Sequence, residues 1–188
     1  MRRMAKWDGA NYPMTEIDYR AFYDDESYLL EAGRHFRETG LLDAADFYML
    51  LIWKANRAKN YHRERLKRKS GTFSTAVSAI AAEIFSSTER KHRLQLLMDK
   101  WGFALPTATA ILTVLYPEDF TVYDWRVCDE VGRRYRQGMS FSDKLWIDYE
   151  QFVAAVTDAA PKGFSLRDKD RFLIGRSFRK ELERDCLA

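Results

Sequence analysis

The sequence predicts an all-α protein, a single domain (residues 1–188) of about eight helices arranged around a central helical hairpin. Three observations predict it. The 188 residues carry only four prolines, Pro13, Pro106, Pro117 and Pro161, which punctuate long stretches without interrupting them. Between them apolar residues recur at three- and four-residue spacing, the period of a helix with one buried face. Strand-like alternation is missing, apart from a short stretch, Phe120 to Val122, that reads as extended. Hydrophobic residues make up 46% of the chain, enough for a sizeable core.

The elements follow in order. Residues 1–15 read as a flexible N-terminal segment. A first helix is expected over about 16–38, with Ile17, Phe22, Tyr28, Leu29, Ala32 and Phe36 near one face and Gly40 as its C-terminal stop. Asp43 is placed to cap a second helix running through Phe47, Leu50, Leu51 and Lys54. A basic stretch follows. Ser70, Gly71 and Thr72 start a third helix, whose small face (Ala76, Ala79, Ala82) suggests close packing. Ser87 or Thr88 caps a helix through Leu94, Leu97 and Met98. After a tight connection at 101–106, an apolar helix starts with Pro106 in its first turn, where the missing N–H costs little, and stops at Pro117. Asp124 is placed to cap a helix from Trp125 to Tyr135, accepting the N–H of Val127, with Gly138 closing that unit. Two more helices are expected, at about 143–159 and 166–183, the last capped by Ser165.

The net charge is +3, mildly basic, but its distribution is uneven. Arg57, Lys59, Arg63, Arg65, Lys67, Arg68 and Lys69 stand against a single acid, Glu64, an excess larger than that of the whole chain. Such a run is the electrostatic footprint of a phosphate-backbone contact, and equally of a solvated connector. No apolar run reaches the roughly 20 residues that span a bilayer, and the N-terminus lacks the apolar core of a signal peptide. Two cysteines, Cys128 and Cys186, make no disulfide framework, and a cytoplasmic setting is the simplest expectation. His35, His62 and His92 have no metal-ligand spacing with them. No phosphate-binding loop or nucleophile elbow is present, so neither a metal nor a cofactor is expected.

The informative segment runs from Trp101 to Val127. It reads as a tight hairpin, an apolar helix buried on most sides, a short loop, and then an acid at a helix start. The buried helix would hold both ends rigidly. One end presents backbone N–H groups, which can bind an anion, and the other leads to Asp124. This segment resembles the helix-hairpin-helix superfamily of DNA glycosylases of base-excision repair. Gly102 stands at the first hairpin glycine, Ala108 at the small residue of the second helix, and Val122-Tyr123-Asp124-Trp125-Arg126-Val127 at the family's Asp motif. Pro106 and Asp124 are 18 residues apart, close to the family's separation. The resemblance covers about 30 residues and departs in two places. Ala104 replaces the second hairpin glycine, and a residue there with a side chain hinders close phosphate approach. Pro106 stands where bifunctional members carry a nucleophilic lysine, so lyase chemistry by that route is excluded. The family's iron–sulfur cluster needs four cysteines and is not expected.

The resemblance implies a monofunctional glycosylase that hydrolyses the N-glycosidic bond of a modified or damaged base. Its partner would be double-stranded DNA with the target base flipped out. Asp124 is then the key acid, stabilising an oxocarbenium-like sugar and orienting water. As a helix cap alone it would do neither, and one residue can serve both ends. Tyr123 and Trp125 flank it and are the aromatics best placed for a base. Arg126 could contact phosphate, brace the acid, or pair with Asp129 or Glu130. Lys54 either snorkels over Trp53 or turns toward Asp124, where it would become a catalytic or phosphate-binding lysine. The DNA-binding set is Gly102, Phe103, Ala104 and Thr107 at the hairpin, together with the seven residues of the basic run. Two other readings stand beside this one: a non-catalytic helix-hairpin-helix nucleic-acid-binding module, and a helical protein-interaction domain. The oligomeric state and the base recognised are not encoded in any motif.

Overall fold

The computed structural model describes residues 25–186, of which 26–185 carry described side chains; the expected flexible segment and the first part of the first expected helix lie outside the described residues. The elements are α1 (Asp25–Thr39), α2 (Ala44–Ala55), a 3-10 turn (Asn56–Ala58), α3 (Lys59–Ser70), α4 (Phe73–Ser86), α5 (Arg90–Gln95), a π-helical turn (Leu96–Lys100), α6 (Leu105–Leu115), α7 (Trp125–Glu130), α8 (Asp143–Ala159) and α9 (Leu166–Cys186). No strand occurs among the described residues, and no helix is long and apolar enough to cross a membrane.

Most boundaries follow from capping chemistry. Asp43, Thr72 and Ser142 accept the backbone N–H of Asp46, Thr75 and Leu145, each three residues on. Ser165 does the same for Asp168. Gly40 donates its N–H to Phe36 O at 2.7 Å and ends α1. Pro106 lies in the first turn of α6.

Four expectations are corrected. The basic run is a helix, α3, because His62 and Leu66, one turn apart, are buried and give it an apolar stripe that its charges conceal. The buried face of α4 is Ala76, Val77, Ile80, Ala81 and Ile84, whereas Ala79 is half-buried and Ala82 exposed, so the larger aliphatic residues set its packing. Neither Ser87 nor Thr88 caps α5. Its N-cap position is Glu89, which makes no side-chain cap bond, and the Ser87 hydroxyl points to Glu89 O and the His92 ring. Finally, α7 ends at Glu130 instead of Tyr135. The N–H of Gly132 bonds Asp129 O and that of Arg133 bonds Cys128 O at 2.8 Å, a closing motif that turns the chain away.

The core is one continuous cluster that draws on α1 to α9. At its centre lies α6, in which Leu105 and every residue from Thr107 to Leu115 are buried. Helix α1 crosses it at very close range. A Cβ placed on Gly33 would sit 2.1 Å from Val114 O, so only a hydrogen fits between the two backbones. Next to that crossing Arg37 donates to Leu115 O at 3.0 Å, satisfying a carbonyl at the C-terminal end of α6. Phe36, fully buried, packs edge-on against Phe85 and Tyr116. A rigid central helix with a hairpin before it and an acid-bearing loop after it is what positions the site.

Candidate functional site

Asp124 stands at the end of a segment whose backbone bonds are made by side chains. The buried Tyr149 hydroxyl donates to Thr121 O at 2.7 Å and accepts the Thr121 N–H at 3.1 Å. The Thr109 hydroxyl donates to Leu105 O at 2.8 Å within α6 and accepts the Tyr123 N–H at 3.0 Å. Residues 120–122, which belong to no helix or strand, are therefore buried with part of their backbone bonded by side chains. Asp124 follows as the N-cap of α7, its Oδ1 accepting the Arg126 N–H at 3.0 Å, one residue short of the Val127 N–H that the sequence suggested.

The other oxygen faces a cation. Lys54, in the last turn of α2, places Nζ 2.7 Å from Asp124 Oδ2, across 70 residues of sequence. Both side chains are about four-fifths buried (19% and 21% exposed). The pair is thus a directed, charge-assisted contact in a partly dry setting, not a surface ion pair of the weak kind. Of the two readings of Lys54, the one that turns it toward Asp124 is the one observed.

Behind the pair lies a second acid that the sequence reading missed. Asp170 in α9 is fully buried and bonded to Arg167, while its Oδ1 has no hydrogen-bond partner. Arg167 also reaches Glu26 at 3.1 Å and lies over the Trp53 ring at 5.2 Å, which ties this group to the end of α2. Burial pushes the Asp170 carboxyl up to about 6; the positive charges of Arg167 and Lys54 pull it down and the charge of Asp124 raises it further. A signal for it existed. Leu166, Asp170, Leu173 and Ser177 follow one another at spacings of four, three and four, so an acid occupies a core position of the helical stripe.

The raised value has a stability consequence with a definite sign. Between about pH 4 and pH 6 the folded state holds the Asp170 proton more tightly than the unfolded chain does. Stability therefore increases as pH falls through that window, and ionisation above it costs on the order of 3 kcal/mol. Asp170→Asn removes that cost. Urea denaturation is expected to show the variant gaining on wild type by about 2 kcal/mol between pH 4 and pH 7.5. A difference that does not change with pH would show that Asp170 is not the titrating group.

The remaining predicted residues divide into two groups. Beside Asp124, Tyr123 is buried and stacks on Tyr135 with ring centres 5.2 Å apart, whereas Trp125 is half exposed. Arg126 pairs with Glu181 of α9 at 2.6 Å and lies between the Trp125 and Phe178 rings, so neither Asp129 nor Glu130 is its partner. Cys128 is buried, and burial pushes its thiol up to about 11, which makes it a poor nucleophile.

The second group joins the hairpin to α3. Gly102 has φ +67°, a left-handed conformation that glycine adopts without strain, and its carbonyl accepts Arg65 Nη1 at 2.6 Å. The Arg65 guanidinium lies 5.0 Å from the centre of the Phe103 ring, and His62 packs on that ring from α3. Lys69 bonds Lys100 O and lies over Trp101. Ala104 has φ −66°, a conformation that alanine adopts without strain. The hairpin amides are less available than the sequence suggested. Those of Gly102 and Phe103 donate to Met98 O and Leu97 O, that of Thr107 donates to Ala104 O, and the Phe103 and Thr107 side chains are buried. Within α3 and its lead-in, Arg63 and Lys67 pair with Glu64, Arg68 bonds Glu64 O and Lys59 bonds Asn56, while Arg57 is exposed. The structure thus brings the basic run onto the hairpin, and it brings Lys54 onto Asp124.

Among the described residues no group of three or more His, Cys, Asp or Glu is placed to hold a metal ion. No family model matches the chain, and no curated protein and no solved structure matches it.

Proposed function

We propose that the chain is a DNA-binding protein with a monofunctional, glycosylase-like site, hydrolysing the N-glycosidic bond of a modified or damaged base. The observation that carries the reading is the Lys54–Asp124 contact: an acid at the position of the family's Asp motif is met, over 70 residues, by a lysine from another helix. A helix cap needs no such partner.

The chemistry asks three things of the acid. It must be oriented, charged while positive charge grows on the sugar, and supported so that its position does not relax. The Arg126 N–H and the Lys54 ammonium each take one oxygen, which fixes the plane of the carboxylate. As the bond from C1′ to the base nitrogen breaks, the electron pair leaves with the base, and the Asp124 carboxylate stabilises the oxocarbenium-like sugar. Water then adds to C1′ and its proton passes to the carboxylate or to solvent. The Lys54 ammonium adds positive charge next to where a phosphodiester would lie. The cations of α3, with Arg65 and Lys69 bonded to the carbonyls of Gly102 and Lys100 beside the hairpin, would supply the contacts to the backbone.

The test is base release from duplexes carrying a panel of modified bases, alongside binding to an abasic-site analogue at two salt concentrations. Wild type is expected to prefer the abasic analogue and to lose affinity as salt rises. Asp124→Asn should lower base release by about a hundredfold or more, because it removes the charge and keeps the shape. Base release that persists in this variant sinks the assignment. Salt-sensitive binding to damaged and undamaged duplex alike, with no release from any substrate, would leave a non-catalytic nucleic-acid-binding module.

A further inference from the structure

We propose that the cleft between the N-terminal end of α6, α8 and the loop joining α7 to α8 is a nucleotide-binding site, taking a base on its apolar lining and a phosphate on Arg134 and Arg136. The proposal does not depend on the glycosylase reading, since neither Lys54 nor Asp124 lines the cleft.

The cleft is preformed. Its loop, residues 131–142, has no helix but is held at several points. The Arg133 N–H bonds Cys128 O, the Arg136 N–H bonds the Tyr123 hydroxyl at 3.1 Å, and the Tyr135 ring stacks on Tyr123. Tyr135, Met139 and Phe141 pack against the core. The cavity so formed has a volume of about 310 Å³, within the range of small-molecule sites. Its lining combines Leu105, Tyr123, Met139 and Leu145 with Arg133, Arg134 and Arg136. It borders a shallower cleft of about 450 Å³ over Arg134, Tyr135 and Gln137.

The charges point to an anion. Arg126, Arg167 and Arg176 each lie against a carboxylate within 3.1 Å. The cleft differs. Its one carboxylate, Asp148, is 3.9 Å from Arg136. Arg133 donates to the neutral amide of Gln151, and Arg134 has no hydrogen bond or ion pair among the described residues. Three guanidinium groups thus face one distant acid. Guanidinium groups bind phosphate with paired N–H donors, and an apolar lining beside them, in which Met139 is the more exposed member, suits the edge of a base. Inorganic phosphate alone would leave the apolar lining wet, and an uncharged aromatic would leave Arg134 unmatched. A nucleotide satisfies both, whether free or as the phosphorylated end of a strand.

Calorimetric titration tests this with 5′-deoxyadenosine monophosphate, deoxyadenosine, inorganic phosphate and a 5′-phosphorylated pentanucleotide. The monophosphate is expected to bind at least about tenfold more tightly than either deoxyadenosine or phosphate. Arg134→Glu, an exposed change, should weaken it by about tenfold or more with an unaltered melting temperature, and Arg136→Gln should weaken it less. Asp124→Asn should leave it unchanged, which separates this site from the catalytic reading. A pentanucleotide that binds more tightly than the monophosphate assigns the site to a strand end; equal or weaker binding assigns it to a free nucleotide. Either result upholds the site. Absence of binding, phosphate binding as tightly as the monophosphate, or a monophosphate affinity unmoved by Arg134→Glu would overturn it.

Discussion

Gly33→Ala is expected to destabilise the fold by about 3 kcal/mol, at the upper end of what overpacking costs. The added methyl would lie 2.1 Å from the carbonyl oxygen of Val114, a backbone atom that no side-chain rotation can move. Relief requires α1 to withdraw from α6. That would disturb the bond from Arg37 to Leu115 O and the packing of Phe36 with it. Gly175 in α9 supplies the control. A Cβ there meets nothing within 4 Å, so Gly175→Ala should stabilise by up to about 1 kcal/mol through helix propensity alone. Guanidinium denaturation of both variants checks the pair. Similar midpoints for the two would mean that the α1–α6 contact is looser than the geometry describes.

Lys54→Met should cost about 2–3 kcal/mol of stability, and Asp124→Asn less than about 1 kcal/mol, although the two residues share one contact. The asymmetry comes from the surroundings. Lys54 is the cation next to Asp124 and acts electrostatically on Asp170 as well. Removing it leaves Asp124, Asp170 and Glu26 with Arg167, and with Arg171 3.6 Å from Glu26 on the exposed side. Asp124→Asn instead removes one acid from the cluster, and asparagine still caps α7. The double variant closes a thermodynamic cycle, from which a coupling of about 1–2 kcal/mol is expected. Denaturation midpoints measured for the four proteins provide the numbers. Equal costs for the two single variants would show that Asp170 does not feel Lys54.

The sequence carries the fold at the level where capping and periodicity act. Asp43, Thr72, Ser142 and Ser165 begin helices because a short polar side chain satisfies an orphan N–H, and that rule is local. The basic run was harder to read. Its apolar stripe is His62 and Leu66 alone, too narrow to stand out among seven cations. Helix α7 is shorter than its sequence pattern suggests because the chain turns at Gly132, ahead of Gly138. Of the site, Asp124 was legible from its place after a buried helix. The direction of Lys54 was not, since it depends on how α2 lies against the start of α7. Asp170 was legible in principle, as an acid at a core position of α9. Thr109 and Tyr149 could not be placed, because each serves a backbone group far along the chain.

The way Tyr149 and Thr109 hold residues 120–123 has a dynamic consequence. A connection without regular secondary structure usually opens independently of the core and belongs to the least stable part of a protein. This one has its backbone tied to a fully buried ring and a buried helix, so it moves only when they do. Asp124 therefore stands on ground that shares the slow, global opening of the whole chain. Any rearrangement that admits a ligand on a faster timescale has to occur in the segments around the acid, while the acid itself stays where the core holds it.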